Sequence, residues 1–274
     1  MGVDLAQGAV VAQFGQLLGR QGLQLVFRDG EIFGDLLRRG RGAVRVARGE
    51  DGFAAKANIV PLTVTEFAPA ALTYPVIFVG EGRQPVAVMG LRPGENLFVS
   101  EAGVFRPEAY IPAYVRRYPF VFANDEVQKR LILCVDRDAP FIREGGATPL
   151  FADGKPSPYV EQAMEFCNNF EQERLRTENF IKLLTDLDLF ETREANFTPR
   201  NPDGTAAAPQ KIAEYFAVSE DKLKALPAEK LVELRDNGAL GQIYAHIHSL
   251  VGWDRLIAIA VTQAAAGRPT AGNA

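Results

Sequence analysis

Residues 74–91, YPVIFVGEGRQPVAVMGL, contain two runs rich in β-branched and aromatic residues on either side of a glycine-rich turn. Each run has the composition of a strand, and Gly80-Glu81-Gly82 between them is a turn signal. Strands joined by so short a turn are antiparallel, because a parallel pair needs a crossover of about a dozen residues or more. The stretch therefore predicts a β-hairpin. It does not predict a phosphate-binding loop, since neither a third glycine nor a helix follows.

Similar strand-like segments surround this hairpin. IVPLTVTEF (59–67) precedes it, and ENLFVS (95–100) and GVFRP (103–107) follow after turn signals such as Pro93-Gly94. The spacing predicts a β-meander. A second pair, YPFVFAN (118–124) and QKRLILCVD (128–136), is predicted to extend the same sheet.

The pattern changes to helical spacing after Pro149. Ser157 is a suitable N-cap and Pro158 a suitable first helical residue, so the following segment predicts an amphipathic helix of roughly thirty residues. Two strands, 189–197 and 211–219, are predicted next, then a short helix from Pro227 closed at Gly238. A last helix over 239–261 is predicted to bury one stripe, consisting of Leu240, Ile243, Ile247, Leu250 and Ile257.

The order of elements, strands first and mostly helices after, predicts an α+β fold. We expect an antiparallel β-meander sheet from the N-terminal half to pack with long amphipathic helices from the C-terminal half. Residues 1–50 are predicted to form a peripheral helix, a hairpin beginning at LQLVF (23–27) and a basic linker. Residues 51–263 are predicted to be a single domain and residues 264–274 a disordered tail.

Composition limits the classes of function. The net charge of −4 and the pI near 5.4 argue against sequence-independent nucleic-acid binding, which needs a broad positive field. Cys134 and Cys167 are far apart and lack metal-ligand spacing, so we expect buried thiols and no metal or cofactor. No run reaches about eighteen apolar residues and no leader pattern is present, which predicts a cytoplasmic protein without a transmembrane segment.

The arginine pair in YIPAYVRRYPFVFA (110–123) is the strongest candidate for binding. Pro112 and Pro119 restrict any helix to about one turn, and adjacent arginines cannot both point inward. The two arginines can also be explained without a ligand, because cations stabilise the end of a helix and a guanidinium group can stack on a tyrosine ring. The residues predicted to offer a surface to a peptide or an anionic partner are Arg116, Arg117, Tyr114 and Tyr118.

Arg174 and Thr177 fall on the apolar face of the long helix. Arg174 can bind a ligand carboxylate, or it can pair with Asp136, Asp138 or Glu178 and serve only to position the helix. The acidic segment that contains Asp136 and Asp138 favours the second role. Thr177 is included with it as a binding candidate.

The remaining polar candidates carry weaker signals. Asp136 and Asp138 point the same way from a strand, but two carboxylates are too few for a metal site. His246 and His248 lie about 200° apart on a helix and cannot chelate one ion. We expect His246 to be a core histidine, and a general base only if a nucleophile lies opposite it.

Several blocks in order resemble the SapC family of bacterial proteins: VPLTVTEF, YPVIFVG, YIPAYVRRYPF, LCVD, FCNNFEQERLRTENF with LDLF, and QIYAHIHSL. The similarity extends from about Asn58 to about Ile257. His248 departs from the family pattern, so a two-histidine motif is not implied.

The resemblance implies a protein without an established enzymatic activity, related to surface-layer proteins or to peptide transport. It supplies no catalytic residues. The leading hypothesis is a non-catalytic accessory protein that binds a peptide or protein and meets the envelope through partners. The alternative is an enzyme, or a partner of one, with a polar pocket around Arg174, Asp136, Asp138 and His246. The ligand and the oligomeric state are left open.

Overall fold

The computed structural model describes residues 23–26, 43–44, 51–100, 103–125, 130–136, 139, 142–143, 148–153, 155–198, 205 and 208–265. Two short 3₁₀ segments, Asp51–Lys56 and Val64–Glu66, accompany the regular elements. The strands are β1 Leu23–Val26, β2 Ala43–Val44, β3 Ile59–Pro61, β4 Val76–Val79, β5 Gln84–Val88, β6 Phe120–Asp125, β7 Arg130–Asp136, β8 Ile142–Arg143, β9 Thr148–Pro149, β10 Phe151–Ala152, β11 Lys155–Pro156, β12 Phe190–Phe197 and β13 Gln210–Val218. The helices are α1 Phe67–Ala71, α2 Ala113–Arg116, α3 Pro158–Asp186, α4 Glu220–Lys224, α5 Ala228–Asp236, α6 Ala239–Ser249 and α7 Gly252–Ala265.

The chain divides into two compact units. The first combines Met1–Asp51 with Ala113–Glu173, and the second combines Gly52–Pro112 with Arg174–Ala274. The division falls within α3, whose 29 residues confirm the long helix that the sequence predicts. The single domain expected over residues 51–263 stays a prediction.

An antiparallel sheet of five strands, in the order β12-β13-β4-β5-β3, forms the second unit's framework. The hairpin predicted over residues 74–91 is present as β4 and β5, with Val79 opposite Gln84 across the turn. The antiparallel sheet and the α+β class are therefore confirmed. The strands differ from the predicted meander, because ENLFVS and GVFRP contribute only the isolated bridge Val99–Phe105 while β12 and β13 complete the sheet.

The first unit contains a separate antiparallel sheet in the order β1-β7-β6. The prediction that β6 and β7 extend the main sheet is wrong: β7 pairs on one side with β6 and on the other with β1, from Leu23↔Asp136 to Val26↔Leu133. The rest of the hairpin predicted from LQLVF, and the predicted N-terminal helix and linker apart from β2, lie outside the described residues.

A cluster of buried side chains joins β6 and β7 to the first half of α3. Val160 and Cys167 of α3, 2% and 3% exposed, belong to the same buried group as Phe120, Leu133 and Val135. The spacing of Val160 and Cys167, two helical turns apart, puts both on one face. This apolar stripe is the one that the sequence indicates.

The core of the second unit is built on aromatic residues. The Phe67 ring makes edge contacts with Phe78 at 5.9 Å and with Phe180 of α3 at 5.8 Å between ring centroids. Phe78 also contacts Phe190 at 5.0 Å and His246 at 4.9 Å. These contacts fasten α1, α3 and α6 to the sheet.

The predicted helix over 239–261 is two helices. It is interrupted after Ser249, and α7 begins at Gly252, where an added Cβ would lie 3.2 Å from the backbone nitrogen of Pro75. A side chain is therefore poorly tolerated at that close approach. Helix α7 continues to Ala265, and residues 266–274 of the predicted tail lie outside the described residues.

Candidate functional site

The arginine doublet lies at the end of a single helical turn in the first unit. Helix α2 covers Ala113–Arg116, and the amide of Arg117 donates to the carbonyl of Ala113 at 3.0 Å. Ala113 and Val115 are buried, at 9% and 2% exposure, so the turn packs against the protein through these two apolar side chains. The one-turn helix between Pro112 and Pro119 confirms the prediction from the two prolines.

Arg117 is held against two aromatic rings. Its guanidinium carbon lies 4.1 Å from the ring centroid of Tyr114 and 4.6 Å from that of Phe170 on α3. Within the part of the chain that the structure describes, no carboxylate pairs with this guanidinium. A guanidinium that stacks through its face keeps its N–H edges available for a planar carboxylate.

Arg116 lies over a different ring of α3. It is exposed, and its guanidinium carbon lies 5.3 Å from the ring centroid of Phe166. The two arginines thus use rings four residues apart on α3, which is the spacing of neighbours on one helix face. Tyr114 and Phe170 are themselves in contact, with ring centroids 6.3 Å apart.

We name these five residues, Tyr114, Arg116, Arg117, Phe166 and Phe170, the arginine-aromatic surface. Sequence reasoning identified its arginines and Tyr114 as binding candidates but neither Phe166 nor Phe170. The signal that was available is the i, i+4 spacing of two phenylalanines on a helix predicted to be amphipathic.

Tyr118 lies beside this surface but directs its hydroxyl elsewhere. The hydroxyl donates to a carboxylate oxygen of Asp136 at 2.8 Å. Asp136 at the end of β7 therefore has a tyrosine partner in its own unit, and Asp138 lies outside the described residues.

Cys167 of α3 lies between Phe166 and Phe170 in the sequence, and its thiol is buried. Burial raises its pKa to about 11, although the positive charge of Arg117 acts in the opposite direction. A thiol with that pKa stays protonated near neutral pH and is a poor nucleophile.

Thr177 is buried in the second unit, at 3% exposure, and its hydroxyl oxygen accepts a hydrogen bond of 2.8 Å from the backbone amide of Val64. That amide belongs to the 3₁₀ segment Val64–Glu66, so Thr177 connects α3 to it. Arg174 forms an ion pair with Glu178 one turn along the helix, with 41% of its side chain exposed. Glu178 is one of the structural partners suggested for Arg174, and the binding roles of Arg174 and Thr177 stay predictions.

His246 is completely buried in the second unit. Its Nε2 accepts from the amide of Val218 at 3.0 Å, and its Nδ1 lies 2.9 Å from the carbonyl oxygen of Val76. Burial lowers its pKa from 6.5 to about 4, against the effect of the bond to Val76. A neutral ring with both nitrogens committed to backbone groups is a structural residue, so the expected core histidine is what the structure contains.

A second buried polar group was missed by sequence reasoning. The carboxylate of Glu66, 5% exposed, accepts from the amide and hydroxyl of Thr63, each at 2.9 Å, and from the hydroxyl of Tyr110 at 2.9 Å. The Thr63-x-x-Glu66 spacing is a capping box, so the local part of this arrangement was readable. The bond from Tyr110, 44 residues away, was not.

Comparison with protein-family models finds one match, described as SapC, over residues 42–256. The chain belongs to the SapC family. The match begins before the stretch in which the motifs are recognisable and ends in α7. The chain matches no curated protein and no solved structure.

Two further findings describe this SapC protein. No helix in the described ranges combines the length and apolar character needed to span a membrane. Among the same residues, no three His, Cys, Asp or Glu side chains are grouped so that they could hold a metal ion.

Proposed function

We propose that this SapC protein is a non-catalytic accessory protein that binds a carboxylate-bearing peptide or protein segment through the arginine-aromatic surface. Family membership supports the link to surface-layer or peptide uptake systems, as the resemblance implies. The proposed location is the cytoplasm, with envelope contact through partners.

One observation carries the proposal. Arg117 is positioned by two rings at 4.1 and 4.6 Å and not, among the described residues, by a carboxylate. The rings restrict the side chain before any partner arrives, so less conformational entropy is lost on binding. Arginine and tyrosine are also among the residues most enriched at interface hot spots.

The surface combines charge with apolar area. Arg116 is exposed beside Phe166, and Arg117 is half-buried between Tyr114 and Phe170. A peptide carboxylate is expected to meet a guanidinium edge, while neighbouring apolar side chains of the peptide cover the exposed parts of the rings.

The alternative, an enzyme acting on peptides, requires a polar pocket bordered by Arg174, Asp136, Asp138 and His246. His246 is enclosed and holds two backbone groups, and this favours the binding protein over the enzyme.

The proposal is tested with an array of immobilised peptides that differ in acidic side chains, probed with the full-length protein. We expect acidic peptides to be retained and Arg116→Ala/Arg117→Ala to weaken their binding about tenfold or more. The matched control is Lys230→Ala/Arg235→Ala, which removes two exposed cations that form ion pairs on α5.

Equal retention of acidic peptides by the wild type and the doublet variant would refute the proposal. Affinity capture from the native cell, done with the same three proteins, then asks whether the partners recovered depend on the doublet. Partners recovered equally by all three would place the binding surface elsewhere.

A further inference from the structure

A cavity of about 310 Å³ lies in the second unit, where the turn between β4 and β5 meets β12, β13 and the C-terminal end of α3. It shares no residue with the arginine-aromatic surface. Its volume is at the lower end of the range for small-molecule sites, which indicates a small guest.

Arg83 lies on the aromatic floor of this cavity. Its guanidinium carbon is 3.4 Å from the ring centroid of Phe216 and 5.8 Å from that of Phe190. Nη1 donates to the carbonyl of Gly80 at 3.0 Å, which fixes the rotation of the group. Across the described ranges, its Nε and Nη2 have no hydrogen-bond partner. These are the donors with which an arginine binds a carboxylate.

The backbone at this cavity is strained at two points. Arg83 has φ 51° and Asp188 has φ 49°, and they are two of the three non-glycine residues with positive φ in the described part of the chain. The left-handed region is unfavourable for residues with a Cβ, and such conformations concentrate at functional sites. Both lie where the chain turns, at the end of the β4–β5 turn and directly after α3, and they place Arg83 and Asp188 at the cavity.

The charges around the cavity are balanced. Asp188 pairs with Lys222 at 3.1 Å, and Glu191 pairs with Arg193 at 2.6 Å. Arg83 and the exposed Glu81 are the remaining charges, one of each sign. A balanced rim favours a guest that carries one positive and one negative group over a guest with a net charge.

We propose that this cavity binds a free α-amino acid with an apolar side chain. The carboxylate of the amino acid takes the open N–H donors of Arg83. The ammonium group faces Glu81, the remaining acidic side chain at the cavity, and the side chain packs against Phe190. This proposal is independent of peptide binding at the arginine doublet.

The test uses saturation-transfer difference NMR on the full-length protein with a panel of free apolar L-amino acids. We expect at least one to bind. Its amide, which lacks the carboxylate, and its N-acetyl derivative, which lacks the ammonium group, should each bind about tenfold more weakly. Absence of binding across the panel, or equal binding of either derivative, would overturn the proposal.

Variants then locate the site. Arg83→Asn removes the guanidinium, and asparagine tolerates positive φ, so we expect a folded protein that binds the amino acid about tenfold more weakly. Arg235→Asn, at an exposed ion pair on α5, is the matched control and should bind like the wild type. Arg116→Ala/Arg117→Ala should also leave this binding unchanged. Undiminished binding by a folded Arg83→Asn protein would contradict the assignment. If this variant does not fold, the comparison of the amino acid with its two derivatives still tests the proposal, because it uses only the wild-type protein.

Discussion

Lowering the pH from 6.5 towards 4 is expected to destabilise this protein through His246. The neutral ring joins β4 to β13 at a place where the strands share the single register pair Phe216↔Phe78. Its two bonds to Val218 and Val76 supply hydrogen bonds that the short ladder does not. Protonation would abolish the acceptor at Nε2 and place a charge in the core.

The magnitude follows from the pKa. Burial lowers the pKa of His246 from 6.5 to about 4. One pKa unit corresponds to about 1.4 kcal/mol, so the free energy of unfolding falls by about 3 kcal/mol as the pH drops from above 6.5 to 4. The unfolded chain binds the proton more readily than the native chain, and stability therefore rises with pH across this window. The penalty is absent above pH 6.5 and grows as the pH falls towards 4.

The assay is urea unfolding followed by circular dichroism at a series of pH values. His246→Gln removes the titrating group while keeping an amide near the same backbone groups. We expect it to lose about 1–3 kcal/mol at neutral pH, because at least one backbone group loses its partner. Its stability should also fall much less between pH 6.5 and 4 than that of the wild type.

His248→Gln is the matched control, because His248 is an exposed histidine on the same helix. It should keep the full pH dependence of the wild type. The reasoning is refuted if the pH dependence survives in His246→Gln, or if it disappears in His248→Gln.

Three other outcomes are expected. Thr177→Val should lower the free energy of unfolding, measured in urea, by about 1–3 kcal/mol, because the Val64 amide loses its acceptor. The control Thr185→Val, at an exposed position of α3, should change it by less than about 1 kcal/mol. Tyr110→Phe should cost about 1–3 kcal/mol by the same measurement, because a buried carboxylate loses a donor, and an unchanged midpoint would contradict that role. Cys134 and Cys167, whose pKa values burial raises to about 11, should react with iodoacetamide far more slowly in the native protein than in urea, and equal rates would show that the thiols are accessible.

The candidate site was only partly readable from the sequence. The prolines at 112 and 119 restrict the turn locally, so the one-turn helix that carries Arg116 and Arg117 follows from nearby residues. The ring of Tyr114 is also local, but those of Phe166 and Phe170 come from α3, about fifty residues later in the chain. The cavity at Arg83 was not predictable either, because its walls come from three separate parts of the chain.

What the sequence determined by itself is the set of features that depend on neighbours along the chain. These are the β4–β5 hairpin from its glycine turn, the start of α3 from Ser157-Pro158, and the end of α5 at Gly238, which has φ 79°. Each depends on backbone preferences of a few adjacent residues, and so a short window contains the necessary information.

Tertiary structure decided which strands share a sheet and which face of α6 is buried. The apolar stripe predicted on that helix included Ile247, yet the buried positions include His246 and Ser249. The hydroxyl of Ser249 accepts a hydrogen bond of 2.9 Å from the amide of Val76, and Nδ1 of His246 lies 2.9 Å from the carbonyl oxygen of the same residue. Two polar side chains therefore provide the hydrogen-bond partners of one buried strand residue. A polar residue is buried where a backbone group distant in sequence needs a partner, and only the folded chain brings the two together.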